Sequence, residues 1–401
     1  MLELSLLLAV VALFKTKDYL SIFWLSYSSV LIIFCFSNEY GDYPITFSLF
    51  ILVFSLVSFV SNLFLTFSTT SLPTYRNSNF TERSYGLLGF FVGGLSLFFY
   101  IVGAGGINGI TKSWVDIAVE RSTLELFLSN FSQLLYLLSL VLLLLSYDIT
   151  KKFKFIFLMF IIAVLFLALS RAKAYLLPFL FSLVVIFLNN NKKYPIKVII
   201  VGSLYSFFIV FFYLLTTFFR WIGGSEKWNV DNFKSVMQLV LDKGVERNLV
   251  EQATGIFSFY VENQKLWGQT YFSFYNPILK FFDLNIENPI YIYHQILHGQ
   301  SHGMKGSAHP TIFTDAFANF SIFGVFLGLF WMIFLLVLYK LCLSQNRYGL
   351  MVYIVTTSYS IPLIFRGSVY YGFLYLILSV SFMLIIGCMI KPSRSVTKDF
   401  R

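Results

Sequence analysis

Charge is scarce in this chain. Only 12% of its 401 residues are Asp, Glu, Lys or Arg, about half the share that soluble domains carry. Cysteine is scarcer still, with three: Cys35, Cys342 and Cys388. Three thiols scattered in or beside apolar segments form no disulfide framework, no zinc spacing and no lipidation signal. There are nine prolines and four histidines. No internal repeat or low-complexity tract is present, which argues against solenoids and low-complexity chains. What fills the space is apolar: 58% hydrophobic and 20% aromatic residues, with a mean hydropathy of +0.77. A water-soluble fold cannot hide that much apolar surface.

A spanning helix needs about 20 apolar residues to cross a hydrocarbon core of roughly 30 Å. Within lipid every backbone polar group must be bonded internally, which leaves helices or closed barrels. The apolar runs are continuous rather than alternating, so they read as helices. The expectation is an all-α polytopic membrane protein of about eleven transmembrane helices, over 2–14, 19–36, 44–67, 85–103, 126–147, 153–169, 174–188, 195–218, 318–339, 348–364 and 369–390. The first run contains Glu3 and has no basic leader, so it reads as a membrane helix rather than a cleaved signal.

The net charge of +10 would suggest nucleic acid as the partner of a soluble protein. Here the excess fits lysines and arginines on cytoplasmic loops, with no nucleic-acid partner. With the tail residues Lys391, Arg394, Lys398 and Arg401 inside, alternation puts Lys340 and Arg347 inside as well. Lys192, Lys193 and Lys197 follow, then Lys151, Lys152 and Lys154, then Arg76 and Arg83, then Lys15 and Lys17. The expected topology is N-terminus outside and C-terminus cytoplasmic.

Three regions follow: N-terminal membrane helices over 1–218, a large external loop over 219–317, and C-terminal membrane helices with a cytoplasmic tail over 318–401. The loop is aromatic-rich and patterned. Asp231 can cap a helix with Phe233, Val236, Met237, Val240 and Leu241 on one face and Gly244 at its end. Val245, Leu249, Ala253, Ile256 and Phe257 predict a second amphipathic helix, lying on the membrane or capping the bundle.

All four histidines lie in this loop: His294, His298, His302 and His309. His294 and His298 share a helix face, the spacing of a metal pair. Gly299, Gly303 and Gly306 argue against a rigid ligand frame, and no metal site or cofactor is expected. An imidazole can instead take a proton from a sugar hydroxyl. His309 is the leading candidate because it precedes Pro310 just before the helix beginning near Asp315, at the membrane boundary. His302 is the reserve. A structural hydrogen bond at the interface is the plain alternative.

Arg171 and Lys173 occupy the short outer turn Ser170-Arg171-Ala172-Lys173, Arg220 follows the eighth helix, and Arg366 lies in Phe365-Arg366-Gly367-Ser368. The positive-inside tendency disfavours these positions, and charges at such depth usually face a cavity or partner. Arginine's planar fork suits phosphate oxygens. The group can hold a pyrophosphate, or each member can anchor to headgroups. Asp116, Glu120, Arg121 and Glu125 read mainly as a solvated helix start. Asp315 and Asn319 share one face at the outer boundary; they can orient His309 or touch sugar, while a helix cap equally accounts for Asp315. Tyr271, Phe272, Phe274 and Tyr275 can stack on sugars or belong to an interfacial belt.

These segments resemble those of the Wzy-type oligosaccharide repeat-unit polymerases. Gly268-Gln269-Thr270-Tyr271 with Asn276-Pro277 resembles that family's G-x-(S/T)-Y … P stretch. His309-Pro310-Thr311 through Asp315, Phe317, Asn319-Phe320 and Phe323-Gly324 resembles the following P-T … E-x-Y-x-N-F-G-x-x-G stretch. Ser170-Arg171 resembles an S-R-G turn, and Arg366-Gly367-Ser368 the late R-G-S turn. Departures are Asp315 for glutamate, Ser321 for glycine and Ala172 for glycine, with Asn276-Pro277 and Asn288-Pro289 where basic-proline pairs are common.

The resemblance implies a metal-independent, inverting glycosyltransferase of the bacterial inner (plasma) membrane that makes capsule, O-antigen or exopolysaccharide. Undecaprenyl-pyrophosphate-linked oligosaccharide would be both donor and acceptor, in contact with membrane lipid, and a chain-length regulator would be a partner. Arg171, Arg220 and Arg366, with Lys173, would neutralise the donor pyrophosphate. His309, with His302 in reserve, would activate the acceptor hydroxyl, Asp315 would orient the base, and Tyr271 and Asn319 would contact sugar. Three other readings compete, one of them a purely structural membrane scaffold, which would not need three arginines on the disfavoured side. A ligase differs only in acceptor. A lipid-linked glycan flippase should show repeated halves and polar groups at the membrane midplane, whereas here the polar residues collect in one external loop.

Overall fold

A computed structural model describes residues 1–16, 19–36, 44–67, 82–106, 122–170, 173–191, 247–272, 289–299, 310–343 and 346–390, with Lys234 and Ala308. Among the described residues the regular structure is helical, without strands. The helices are α1 (Leu2–Lys15), α2 (Ser21–Phe36), α3 (Ile45–Phe67), α4 (Glu82–Gly103), α5 (Thr123–Thr150), α6 (Lys154–Ser170), α7 (Leu177–Asn191), α8 (Arg247–Glu262), α9 (Pro289–His298), α10 (Ile312–Phe320), α11 (Leu327–Leu343), α12 (Asn346–Phe365) and α13 (Val369–Ile390). Of the expected apolar helices, 195–218 lies outside the described residues, as does the amphipathic helix expected after Asp231 apart from Lys234; the others are helical, and only 318–339 is interrupted.

Six helical segments are long and apolar enough to cross a membrane: Ile45–Leu65, Ser84–Gly103, Phe127–Thr150, Ile312–Leu343, Arg347–Phe365 and Val369–Met389. Their outer faces carry large exposed apolar side chains, among them Phe64, Leu87, Phe90, Phe91 and Phe98. Water does not tolerate a surface of that extent, whereas lipid does. This is a multi-pass, all-α membrane protein.

The membrane helices alternate in direction, and five contacts mark one end of the bundle. Arg347, at the start of α12, pairs with Asp148 at the end of α5, and Lys151 reaches the same carboxylate at 2.7 Å. The Tyr353 hydroxyl donates to the carbonyl of Tyr19, just before α2. Tyr19 stacks on Tyr339 of α11 with ring centres 4.9 Å apart, and its hydroxyl donates to the Leu65 carbonyl near the end of α3. At the other end, the Tyr375 hydroxyl of α13 donates to Asn130 of α5 at 3.1 Å. Asn130 lies about 27 Å along α5 from Asp148. Lys151, Lys340 and Arg347 therefore gather at one end, and Arg366 follows the far end of α12.

Glu125 caps α5 reciprocally with Ser122, so at this residue the expected solvated helix start is what the chain forms. Within 219–317, α8 buries Leu249, Ala253, Ile256 and Phe257, four of the five positions of the predicted face; the fifth, Val245, lies outside the described residues.

One expected helix is corrected. The run over 318–339 is not a single rod. Helix α10 stops at Phe320, Ser321 takes φ 52° and ψ −138°, and a six-residue 3-10 segment (Ser321–Phe326) leads into α11. In a continuous helix, residues eight apart are separated by about 12 Å. Here a Cβ on Gly324 would stand 2.4 Å from the carbonyl oxygen of Ala316, so the chain turns back beside α10. Hydropathy is uniform across this turn, and composition alone does not reveal it.

Candidate functional site

The site is built on α10, which is buried along nearly its whole length. Its apolar side chains key it to the bundle. Phe313 meets Tyr27 of α2 and Phe54 of α3, with ring centres 5.3 and 5.2 Å apart. Phe317 stacks on Phe257 of α8 at 4.1 Å. Two hydrogen bonds add to this. The Thr314 hydroxyl donates to the carbonyl of Ala253 at 3.1 Å, and the carbonyl of Ala318 accepts from the Leu266 backbone at 2.9 Å.

Asp315 is not a cap. The N-cap position of α10 belongs to Thr311, and the Asp315 side chain turns inward with 1% exposure. Its Oδ1 accepts a 2.6 Å hydrogen bond from the hydroxyl of Tyr293, on α9. Its Oδ2 is buried and makes no hydrogen bond among the described residues. The Tyr271 hydroxyl, also buried, faces the same carboxyl closely enough to feel its charge but without the geometry of a hydrogen bond.

Asn319 completes the group one helical turn on. Its amide donates to the backbone carbonyl of Asp315 at 2.8 Å and to the Thr270 hydroxyl at 2.7 Å. The Thr270 backbone N–H returns a bond to Asn319 Oδ1 at 3.4 Å.

Burial holds the hydroxyl of Tyr293 well above the ordinary phenol range, and the negative charge of Asp315 adds to the effect. The same two causes, in the same order, raise Tyr271 and Tyr260. These phenols stay neutral, and Tyr293 serves as a donor to the carboxyl. The arrangement is a carboxyl withdrawn from water, held by one phenol and steadied by an amide. Such a group is suited to fixing the orientation of a neighbouring polar partner.

Tyr293→Phe tests how much this bond contributes. It leaves Oδ1 buried without its donor, a change that costs about 1–3 kcal/mol. The expected result is a melting point several degrees lower in detergent, measured by thermal denaturation of the purified protein.

The late turn lies against the start of this segment. After α12 the chain closes in a Schellman arrangement: Ser368 N–H bonds to the Leu363 carbonyl and Gly367 N–H to that of Ile364, both at 2.9 Å. Gly367 sits at φ +101°, and a Cβ there would fall 1.1 Å from the carbonyl oxygen of Pro310. The Arg366-Gly367-Ser368 turn thus meets the chain at Pro310 backbone to backbone. Arg366 is half-buried at this junction.

The structure accordingly brings Asp315, Asn319 and Tyr271 together and puts Arg366 beside Pro310. His302, His309, Arg171 and Arg220 lie outside the described residues, as does the side chain of Lys173, whose backbone is in a 3-10 turn (Lys173–Tyr175). His294 and His298 share a face of α9 with ring centres 4.7 Å apart, as their spacing predicts. Sequence reasoning missed Tyr293, Thr270 and Thr314. Thr270 lies inside the Gly268–Tyr271 motif and was the readable one. For Tyr293 no signal separates it from Tyr291 beside it.

No protein-family model, no curated protein and no solved structure matches this chain.

Proposed function

We propose that this protein is a membrane glycosyltransferase that polymerises undecaprenyl-pyrophosphate-linked oligosaccharide repeat units on the outer face of the bacterial inner membrane. The observation that carries the reading is the contact of Gly367 with Pro310. Two motifs that resemble the Wzy-type polymerases, more than fifty residues apart in the chain, are packed against each other. They join a cationic turn to the segment bearing the candidate base.

The topology under this reading has eleven spans, 195–218 among them, with the N-terminus outside and the C-terminus in the cytoplasm. The gathering of Lys151, Lys340 and Arg347 at one end, with Arg366 beyond the other, agrees with the positive-inside tendency.

In the reaction, an acceptor sugar hydroxyl attacks the anomeric carbon of the donor chain. The C–O bond to the pyrophosphate breaks, and its electron pair leaves on undecaprenyl pyrophosphate. His309 takes the hydroxyl proton, with His302 the next candidate. Arg366, Arg171, Arg220 and Lys173 face the pyrophosphate, whose departing charge needs stabilising more than it needs protonating. Asp315 orients the base through Oδ2, while Tyr293 fixes Oδ1. Asn319 has its amide engaged with Asp315 and Thr270, so its role is to hold the site, and sugar contact falls to other groups. A chain-length regulator is the expected protein partner.

The test is polymer formation by purified protein reconstituted with the host's lipid-linked repeat unit in EDTA, resolved as a ladder on a gel. Wild type should give a ladder. Arg366→Ala should cut the rate about tenfold to a hundredfold, the effect of removing one of several groups that share a developing charge. An unchanged rate would remove Arg366 from the clamp. No ladder from wild type with verified substrate would sink the polymerase reading.

A further inference from the structure

Between α8 and the turn at Gln269–Phe272 the chain does something costly. Trp267 adopts φ +50°, followed by Gly268 at φ +84°, and its indole is 74% exposed. A bulky residue in the left-handed region is disfavoured where glycine would be free. The aromatic is nonetheless held outward there, and such an outlier is a pointer to function.

Exposed apolar residues stand on the segments that flank it, with the polar Glu262, Asn263 and Gln264 between them. Phe259 and Val261, in the last turn of α8, are exposed. The adjacent Leu266 is strapped to the Ala318 carbonyl. Four residues beyond Ala318, past the reversal, Ile322 and Phe323 are 67% and 71% exposed, and Phe326 is exposed too. From there Phe330, Ile333, Val337 and Leu341 carry the same exposed stripe along α11. Lys265 lies with its ammonium 4.8 Å over the Phe317 ring.

We propose that Trp267, with Phe259, Val261, Ile322 and Phe323, forms an anchor that seats the external segments in the bilayer interface. The occupant is lipid at headgroup and glycerol level. From Ile322 and Phe323 the exposed apolar residues lead onto the stripe of a membrane helix, the Leu266–Ala318 bond ties the Trp267 segment to that chain, and tryptophan with a nearby lysine is the composition favoured at that depth. Through the Leu266–Ala318 strap the anchor sets the height of α10, and so of the Asp315 group, relative to the membrane. This holds whatever reaction the site performs.

The test is site-directed spin labelling of the full chain in nanodiscs of phosphatidylcholine and phosphatidylglycerol, with Cys35, Cys342 and Cys388 replaced by serine. Labels go at Trp267→Cys, at Phe323→Cys as a lipid reference, and at Glu251→Cys on the exposed side of α8. The label at position 267 should show an oxygen-to-nickel-chelate accessibility ratio several-fold above that at 251 and close to that at 323. A ratio equal to that at 251 would mean water and overturn the proposal. Exclusion of both reagents with an immobilised label would mean a protein seat and overturn it equally. Trp267→Phe guards against a misfolded label site. It should measurably reduce quenching of the protein's tryptophan emission by brominated lipid, and unchanged quenching would count against the anchor.

Discussion

Replacing Gly367 with alanine is expected to abolish the folded protein or leave it severely destabilised. Two independent effects act at this position. The backbone is held at φ +101°, a conformation that an L-residue with a Cβ adopts only under strain, about 1–3 kcal/mol. The stronger effect is steric. The new Cβ would lie 1.1 Å from the Pro310 carbonyl oxygen, 2.2 Å from its carbonyl carbon and 2.9 Å from its nitrogen. All three are backbone atoms, so no rotamer change relieves the clash. Either the Arg366-Gly367-Ser368 turn opens, losing its two Schellman bonds, or the entry to α10 shifts and takes Asp315 with it. A total beyond about 4–5 kcal/mol is exceptional for one substitution, and this site has the geometry for it. Gly94→Ala is the matched control. A Cβ on Gly94 meets nothing within 4 Å, and alanine is the better helix former by roughly 1 kcal/mol. Thermal unfolding in detergent should therefore show a near-normal or raised melting point for Gly94→Ala. Gly367→Ala should show no cooperative transition or a drop of ten degrees or more. Equal behaviour of the two variants would mean that the contact with Pro310 does not hold the molecule together.

How far the sequence reaches depends on what each feature is made of. Membrane helices are set by composition over some twenty residues, so α3, α5, α12 and α13 are legible with ends displaced by only a few positions. The apolar face of α8 is legible because Leu249, Ala253, Ile256 and Phe257 repeat at helical spacing. The reversal at Ser321 is not, because direction is carried by one residue's backbone angles while the side chains on both sides stay apolar. Gly324 is the available sign. In the sequence it stands as part of a motif, but its physical reason is the approach of the Ala316 carbonyl. Counting from the apolar run places Asp315 at a helix boundary. The helix in fact begins three residues earlier, at Ile312, which turns the carboxyl toward α9 and makes Tyr293 its partner. That pairing joins residues 22 apart across separate helices, and a single sequence holds no sign of it. The junction of Gly367 with Pro310 is of the same kind: both segments stand out in the sequence, and only the fold says that they touch.

Replacing His309 with alanine is expected to lower polymerisation at least a hundredfold while leaving the protein folded. The size follows from the role proposed for it. A positioned general base contributes about 10²–10⁴ in rate, and a sugar hydroxyl is too weakly acidic to attack without one at neutral pH. The expectation of an intact fold rests on its neighbours. Ala308 is fully buried in the cluster with Tyr260, Tyr293 and Ala318, and Pro310 is buried against Gly367. The chain on both sides of position 309 is held by contacts that the substitution does not remove. Asp315→Asn supplies the second arm. It keeps the shape and the Tyr293 contact but removes the negative charge, so a carboxyl that orients the base should show a smaller loss in rate, with the melting point nearly kept. Product ladders from the host's lipid-linked repeat unit would be timed for wild type, His309→Ala, His302→Ala and Asp315→Asn at matched melting behaviour. Loss confined to His309→Ala with a partial loss in Asp315→Asn would support the assignment. A full ladder from His309→Ala and none from His302→Ala would move the base to His302 and detach Asp315 from it. Full ladders from both histidine variants would leave the polymerase without an imidazole base, and the acceptor hydroxyl would then have to be activated from the α10 carboxyl itself.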